Sequence, residues 1–367
     1  MAKELFVGTR KGLFVFEQSA DRWKLCRTGF LGVQVPMLMF DARDNLLLAS
    51  LNHGHFGAKM QRSDDTGRSW EEVETPKYPP QPDDVPDVVD PMRNVAIPWS
   101  LELIWTLERS ATGTVWCGTI PGGLFRSGDC GQTWQLVRSL WDRPERSHWF
   151  GGGYDYPGIH SICLHPSEPH RISLAISCGG VWVSEDDGVD WRCCSKGIRA
   201  AYVPPEQALD PNIQDPHRMV QCASQPDTLW VQHHNGIFRT TDSCENWIEV
   251  QNVEPSAFGF AVAVHPHDPN TAWFAPAISD EDRYPRDGRF VVTRTVDGGE
   301  SFETLSAGLP DADAYDLIYR HAMVVDENGS TLAMGSTTGN LWISQDSGES
   351  WQCVTTNLPP IFCLRWG

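Results

Sequence analysis

The chain has 367 residues, a formal net charge of −19 and 11 cysteines. Such a charge excludes a nucleic-acid backbone or an anionic membrane as the natural partner, because either calls for a basic face. An odd cysteine count with no Cys-x-x-Cys pair excludes a disulfide framework and points to buried reduced thiols.

The first strand patterns are residues 5–9 and 12–16, set around a short turn. No signal-peptide pattern precedes them and no apolar run is long enough to span a bilayer, so a cytoplasmic location is the expectation. The same pair recurs at 115–119 with 123–126, and at 229–233 with 236–239. A further strand leads each pair, as at 162–164 and 260–264. Each pair then runs into the octet Ser/Thr-x-Asp-x-Gly-x-x-Trp/Phe. Copies stand at 63–70, 127–134, 184–191, 240–247, 295–302 and 344–351, with a worn one at 16–23. In such an octet the Asp accepts backbone hydrogen bonds inside a tight turn, and the Gly takes a positive φ without steric cost. The aromatic starts the next strand. Cys244 stands where Gly is expected in the fourth copy, so that turn is either strained or differently shaped.

Four strands per repeat and seven repeats predict an all-β fold, a seven-bladed β-propeller in a single domain. Blade 1 takes approximately residues 1–30 plus 360–367. Blades 2 to 7 take 31–75, 98–140, 158–196, 216–252, 257–307 and 315–357. Residues 361–366 form a lone strand after the seventh repeat. They are expected to supply the innermost strand of blade 1, with both termini in one sheet, and so to close the ring. His165 and His265 lie in turns between first and second strands and are read as structural.

The octet resembles the Asp-box, or BNR repeat, of the sialidase-like propellers within the WD40/YVTN/BNR-like superfamily. The resemblance spans residues 16–351. It implies a propeller in which the box is a structural turn away from the active face. The family holds sialidases, other glycosidases and non-catalytic receptors and assembly factors. A sialidase also needs an arginine triad, a Tyr activated by a Glu, and an acidic proton donor. The family's early Arg-Ile-Pro motif is absent here, so true sialidase activity is not expected.

The long insertions 75–100, 139–159, 196–216 and 277–289 all fall on the face opposite the boxes. Sites are usually built there, on loops over a rigid scaffold. Aligning the blades on their boxes puts His160, His217 and His321 at one position, the start of the innermost strand beside the axis. Glu102 falls at or one residue from that place in blade 3, while Pro36 and Phe260 take it in blades 2 and 6. His160, His217, His321 and Glu102 are therefore the candidate ligands of a divalent transition ion, Zn, Fe or Mn. His53 with His55, and His233 with His234, are candidate further ligands or general acid/bases. Asp155 and Asp215 are candidate catalytic carboxylates; Arg218 and Arg320 suit a carboxylate or phosphate substrate. The favoured expectation is a hydrolase acting on a small polar or anionic substrate at a His-lined axial pocket. The alternatives are a non-catalytic binding propeller and a metal-independent glycosidase, which would place two carboxyls across the channel.

Overall fold

In the computed structural model of the chain, residues 3–20 and 22–367 are described. They form seven four-stranded antiparallel sheets, arranged as a seven-bladed propeller. Blade 5 is typical. It runs outward through Pro216–Gln221, Leu229–His233, Gly236–Thr240 and Ile248–Val250. Blade 1 begins instead with Ile361–Trp366, which pairs antiparallel with Glu4–Thr9. The ring closes as the leftover strand predicts.

Strands near the axis are covered by a neighbouring blade on each face. Glu4–Thr9, Val115–Ile120 and Gly259–Val264 are buried along their whole length. This is why they read as continuous apolar runs rather than as an alternation. Outermost strands such as Glu71–Val73 and Gln352–Thr355 are short, polar and more exposed. All the cysteines are free thiols, most of them buried. No helix among the described residues is long and apolar enough to cross a membrane.

The octets fold as one repeated turn. Asp65 Oδ1 accepts hydrogen bonds of 2.9 Å from both Arg68 N and Ser69 N, while Gly67 N donates to Ser63 Oγ at 2.8 Å. Asp129, Asp186, Asp297 and Asp346 repeat the arrangement. Their carboxylates are occupied by the backbone and are not available for chemistry. Cys244 takes φ 71°, close to the 81° of Gly67, so this turn keeps the left-handed shape and bears the strain of a Cβ.

Candidate functional site

The innermost strands share a defect at their loop-face end. Pairing with the second strand slips between Ile104 and Thr106, between Ile159 and Ser161, and between Pro216 and Arg218. Trp105, His160 and His217 are the residues left unpaired. Equivalent slips involve Phe362 in blade 1, the Val35–Pro36 step in blade 2 and Phe260 in blade 6. His321 bridges Cys363 just before its own strand. A bulge at a strand end turns a side chain out of the sheet, here toward the channel mouth. The preceding carbonyl is pressed into the next sheet. A Cβ on Gly8 would meet Val35 O at 2.7 Å, and one on Gly118 would meet Ile159 O at 2.6 Å, so both positions need glycine.

Pro36, Trp105, Phe260, His321 and Phe362 line an axial cavity of about 370 Å³. His160 stands edge-on to Trp105 at 5.3 Å, and His217 stacks on Phe260 at 4.3 Å. The expected equivalence of His160, His217 and His321 therefore holds, whereas the place given to Glu102 does not. Trp105 occupies the blade 3 position. Glu102 is an exposed rim residue of the cavity, bonded to Ser100 Oγ at 3.2 Å.

The four expected metal ligands do not converge. His160 Nε2 donates to Pro216 O at 2.7 Å, and its Nδ1 meets Ser161 Oγ at 2.9 Å. His321 Nε2 donates to His160 O at 2.7 Å. Burial, with Arg218 nearby, holds both imidazoles well below their ordinary pKa and hence neutral. Their Nε2 atoms are taken up by carbonyls of other blades, while His321 Nδ1 has no partner.

A different set does converge. Asp215, His217 and His234 present ligand atoms all within 4.8 Å of one another. Asp215 Oδ2 lies 3.4 Å from His217 Nε2 and 3.6 Å from His234 Nδ1. The hairpin explains the grouping, since Pro216 pairs with His233 and brings the flanking residues together. Asp215 Oδ1 accepts from Ser177 Oγ at 3.0 Å and Cys178 N at 3.1 Å, leaving Oδ2 to face the imidazoles. His217 Nδ1 donates to Gly259 O at 2.7 Å, which puts the proton on Nδ1 and the lone pair on Nε2. Burial works to raise the Asp215 pKa, but His217 and His234 pull harder and hold the carboxyl well below its usual range. Burial lowers the His217 pKa against the pull of Asp215. At His234 burial also works downward, but the bond to Asp215 prevails and the pKa is raised.

This donor set fits a divalent ion. Two ligands of a tetrahedral ion, each bonded at about 2.0–2.1 Å, lie about 3.4 Å apart. A histidine ligand also typically gives its second N–H to a backbone carbonyl, as His217 does. Three protein ligands leave a further position, and the set opens on a second cavity of about 130 Å³ that shares Gly153, Phe260 and Arg283 with the first. A second acidic group, Glu4, Glu17 and Cys26, is partly exposed, and Glu4 is paired with Arg27 at 2.7 Å.

Arg320 is the other unusual group. It is 5% exposed, with its guanidinium 4.6 Å from the Trp105 ring centre and 5.5 Å from that of Phe260. Its Nε and Nη2 have no hydrogen-bond partner. Burial lowers its pKa.

The remaining expected residues fall elsewhere. Asp155 is exposed, pairs with Arg93 at 2.7 Å, and lines the first cavity but not the second, so it does not share the cavity of Asp215. Arg218 is half-buried, lies 3.3 Å from Ser161 Oγ, and lines neither cavity. His233 is a buried positioning residue: its Nε2 accepts from Asp215 N at 2.9 Å, and burial pushes its pKa down to about 3. His53 lines a separate recess with Arg10 and Lys11, and His55 is exposed against Phe56.

The insertions supply the walls, as their placement predicts. Asp90 Oδ2 accepts from Gly151 N at 2.7 Å and ties the 75–100 excursion to the loop at 151–153. That loop passes between the two centres. A Cβ on Gly152 would lie 3.3 Å from Asp215 Oδ2, and one on Gly153 would lie 2.7 Å from Arg320 Nη2. Trp105 was missed in the sequence but carries a usable signal. Counting five residues back from the turn residues His165, Cys222, His265 and Asp326 reaches His160, His217, Phe260 and His321; from Ser110 the same count reaches Trp105.

No family profile matches the sequence, and no curated protein matches it. Several solved structures share the fold. A GH74 xyloglucanase from Xanthomonas campestris is 16% identical, with a TM-score of 0.63 over 95% of this chain; the chain spans only 52% of that enzyme. A Bacteroides uniformis protein with a provisional 6-phosphogluconolactonase name is 11% identical, with a TM-score of 0.61, 100% of this chain and 99% of that one covered. YCF48 from Cyanidioschyzon merolae is 12% identical, with a TM-score of 0.54, 89% of this chain and 87% of that one covered. At these identities the likeness establishes a propeller fold and no activity.

Proposed function

We propose that the chain is a hydrolase acting on a small polar, anionic substrate at the axial mouth, with Asp215, His217 and His234 holding a divalent transition ion. The observation that carries this reading is the spacing of the three donors, 3.4 and 3.6 Å from Asp215 Oδ2, with the His217 tautomer set by Gly259 O. With its proton on Nδ1, His217 turns the Nε2 lone pair toward the Asp215 carboxylate, an arrangement that a bound cation relieves. A divalent ion there supplies Lewis acidity toward a substrate oxygen. The chain's own groups orient it: Ser177 and Cys178 N fix Asp215, and His233 holds the Asp215 backbone. Arg320, in the adjoining cavity, receives the anionic end. The net charge of −19 and the free thiols support a cytoplasmic protein that engages neither nucleic acid nor membrane.

The test is metal content in protein prepared without a histidine tag and incubated with Zn, Mn or Fe(II). One equivalent is expected in the parent and substoichiometric metal in His217→Ala and His234→Ala. A parent that retains none of the three ions, or a His217→Ala variant with unchanged affinity, refutes the reading.

A further inference from the structure

We infer that the larger axial cavity takes a ring-shaped organic acid with a single carboxylate, paired with Arg320 and stacked among Trp105, Tyr154 and Phe260. The inference rests on the reading above only in taking this mouth as the substrate site.

It starts from charge. Arg320 is 5% exposed and two of its nitrogens lack any partner. Buried charges are normally paired, because an isolated ion in a poorly polarisable site is costly. No carboxylate of this chain forms an ion pair with Arg320 among the described residues, although its neighbour Arg283 is paired with Asp280. His321, the one imidazole among the described residues that line this cavity, is held neutral by burial. Of the other charged residues lining the cavity, Asp155 is paired with Arg93, Arg283 with Asp280, and Glu102 is exposed to water at the rim, so Arg320 is the buried charge there that lacks a counter-ion. A monoanion balances it, whereas a phosphate dianion leaves an excess negative charge in a buried site. The planar guanidinium fork also matches a carboxylate in two parallel hydrogen bonds.

The walls indicate the body of the ligand. Tyr154 stands edge-on to Trp105 at 5.0 Å and Tyr319 edge-on to Phe260 at 5.0 Å. The cavity of about 370 Å³ is of small-molecule size, with Gln34 and Asn52 among its polar lining residues. Aromatic faces with a few polar groups suit a flat or puckered ring. Gly153 keeps the approach to Arg320 open, since a Cβ there would sit 2.7 Å from Nη2. The adjacent Gly152 borders Asp215 Oδ2. Neighbouring Cα atoms are about 3.8 Å apart, so one small ring compound can reach from Arg320 to the Asp215 centre.

The experiment is calorimetric titration of the full chain, both metal-stripped and metal-loaded, with benzoate, cyclohexanecarboxylate, benzamide and inorganic phosphate. Both carboxylates are expected to bind the parent. Benzamide and the Arg320→Met variant should each show a loss of about 10- to 100-fold, the range of a hydrogen bond to a charged group. Gly153→Ala, whose backbone angles any residue adopts, should fold normally and lose carboxylate affinity by at least about 10-fold as the Arg320 fork is covered. The carboxylates should bind the metal-stripped protein as well, which separates this inference from the fate of the metal reading. Benzamide binding as tightly as benzoate, full affinity in Arg320→Met or Gly153→Ala, tighter binding of phosphate than of either carboxylate, or no carboxylate binding would each overturn it.

Discussion

Replacing Arg320 with Met should make the protein more stable while removing its anion site. The guanidinium is buried with Nε and Nη2 unpartnered. The effective penalty for a buried ion is several kcal/mol. Its stacking on Trp105 at 4.6 Å returns about 2 kcal/mol. Methionine keeps the length and flexibility of the side chain and makes favourable sulfur–aromatic contacts with Trp105 and Phe260. The net gain expected is about 1–4 kcal/mol, as found when buried ionic groups give way to packed apolar ones. An unfolding entropy of about 2.1 cal/mol/K per residue gives roughly 0.8 kcal/mol/K for a chain of 367 residues unfolding as one unit. The unfolding midpoint should then rise by about 1–5 °C. Differential scanning calorimetry in a buffer free of carboxylates and phosphate measures it directly. Benzoate at a fixed concentration that saturates the parent should raise the midpoint of the parent by more than that of the variant. A midpoint that falls in Arg320→Met would mean that the guanidinium is satisfied in the free protein, and the reasoning from its unpaired charge would be refuted.

Deleting residues 361–367 should strip the closing strand from blade 1. It removes buried Ile361, Cys363 and Leu364, a loss of about 5 kcal/mol or more, so a thermal midpoint within 2 °C or so of the parent would contradict ring closure. Asp129 tests the box turn through pH. Burial works to raise its pKa, but bonds from Thr133 and Ser127 bring it down to about 2. A carboxyl depressed below its unfolded value of about 3.9 contributes stability that is complete above about pH 5 and lost as pH falls toward 2. Ser127→Ala should therefore destabilise at pH 7 and do so less at pH 3, by urea midpoint; a gap that is constant or wider at pH 3 counts against it. Asp90→Ala frees Met92 N, Arg93 N and Gly151 N from a fully buried acceptor. It should cost about 1–3 kcal/mol per unsatisfied donor that stays buried and weaken benzoate binding by loosening the glycine loop; unchanged benzoate affinity would show that the latch does not shape the cavity.

The fold was legible because the box turn is local. Asp and Gly are needed at set offsets whatever the rest of the chain does, so the octets date each blade and the unpaired strand 361–366 must complete the first. The equivalence of His160, His217 and His321 was legible for the same reason. Where their nitrogens point was not, because each donor is taken by a carbonyl of another blade: Pro216 O of the next blade for His160, Gly259 O of the next blade for His217, and His160 O across the channel for His321. Those distances are set by how blades pack, which no single-blade pattern encodes. Glu102 was placed at or one residue from the equivalent position by the blade alignment, which fell three residues short of Trp105, where the bulge register puts it. The partnership of Asp215 with His234 lies between the two. Both flank the pairing of Pro216 with His233 and are neighbours in any antiparallel hairpin of that register.

One bulge, copied around the ring, accounts for both halves of the site. In blades 3 and 6 it presents the aromatic faces that sandwich a guanidinium; in blade 5 it presents the imidazole that faces Asp215. Phe260 belongs to both, stacked on His217 at 4.3 Å with an 11° tilt and lying 5.5 Å below Arg320. A position that any blade can fill with a ring, polar or apolar, lets the scaffold change its chemistry without changing its turns. The box residues keep their backbone bonds throughout, which is why the strongest repeat in the sequence and the groups at the mouth share no residue. Gly153 then separates an uncompensated cation from a carboxylate held by two histidines. Such opposite charges, kept apart by a loop without side chains, are held ready for a third molecule rather than for each other.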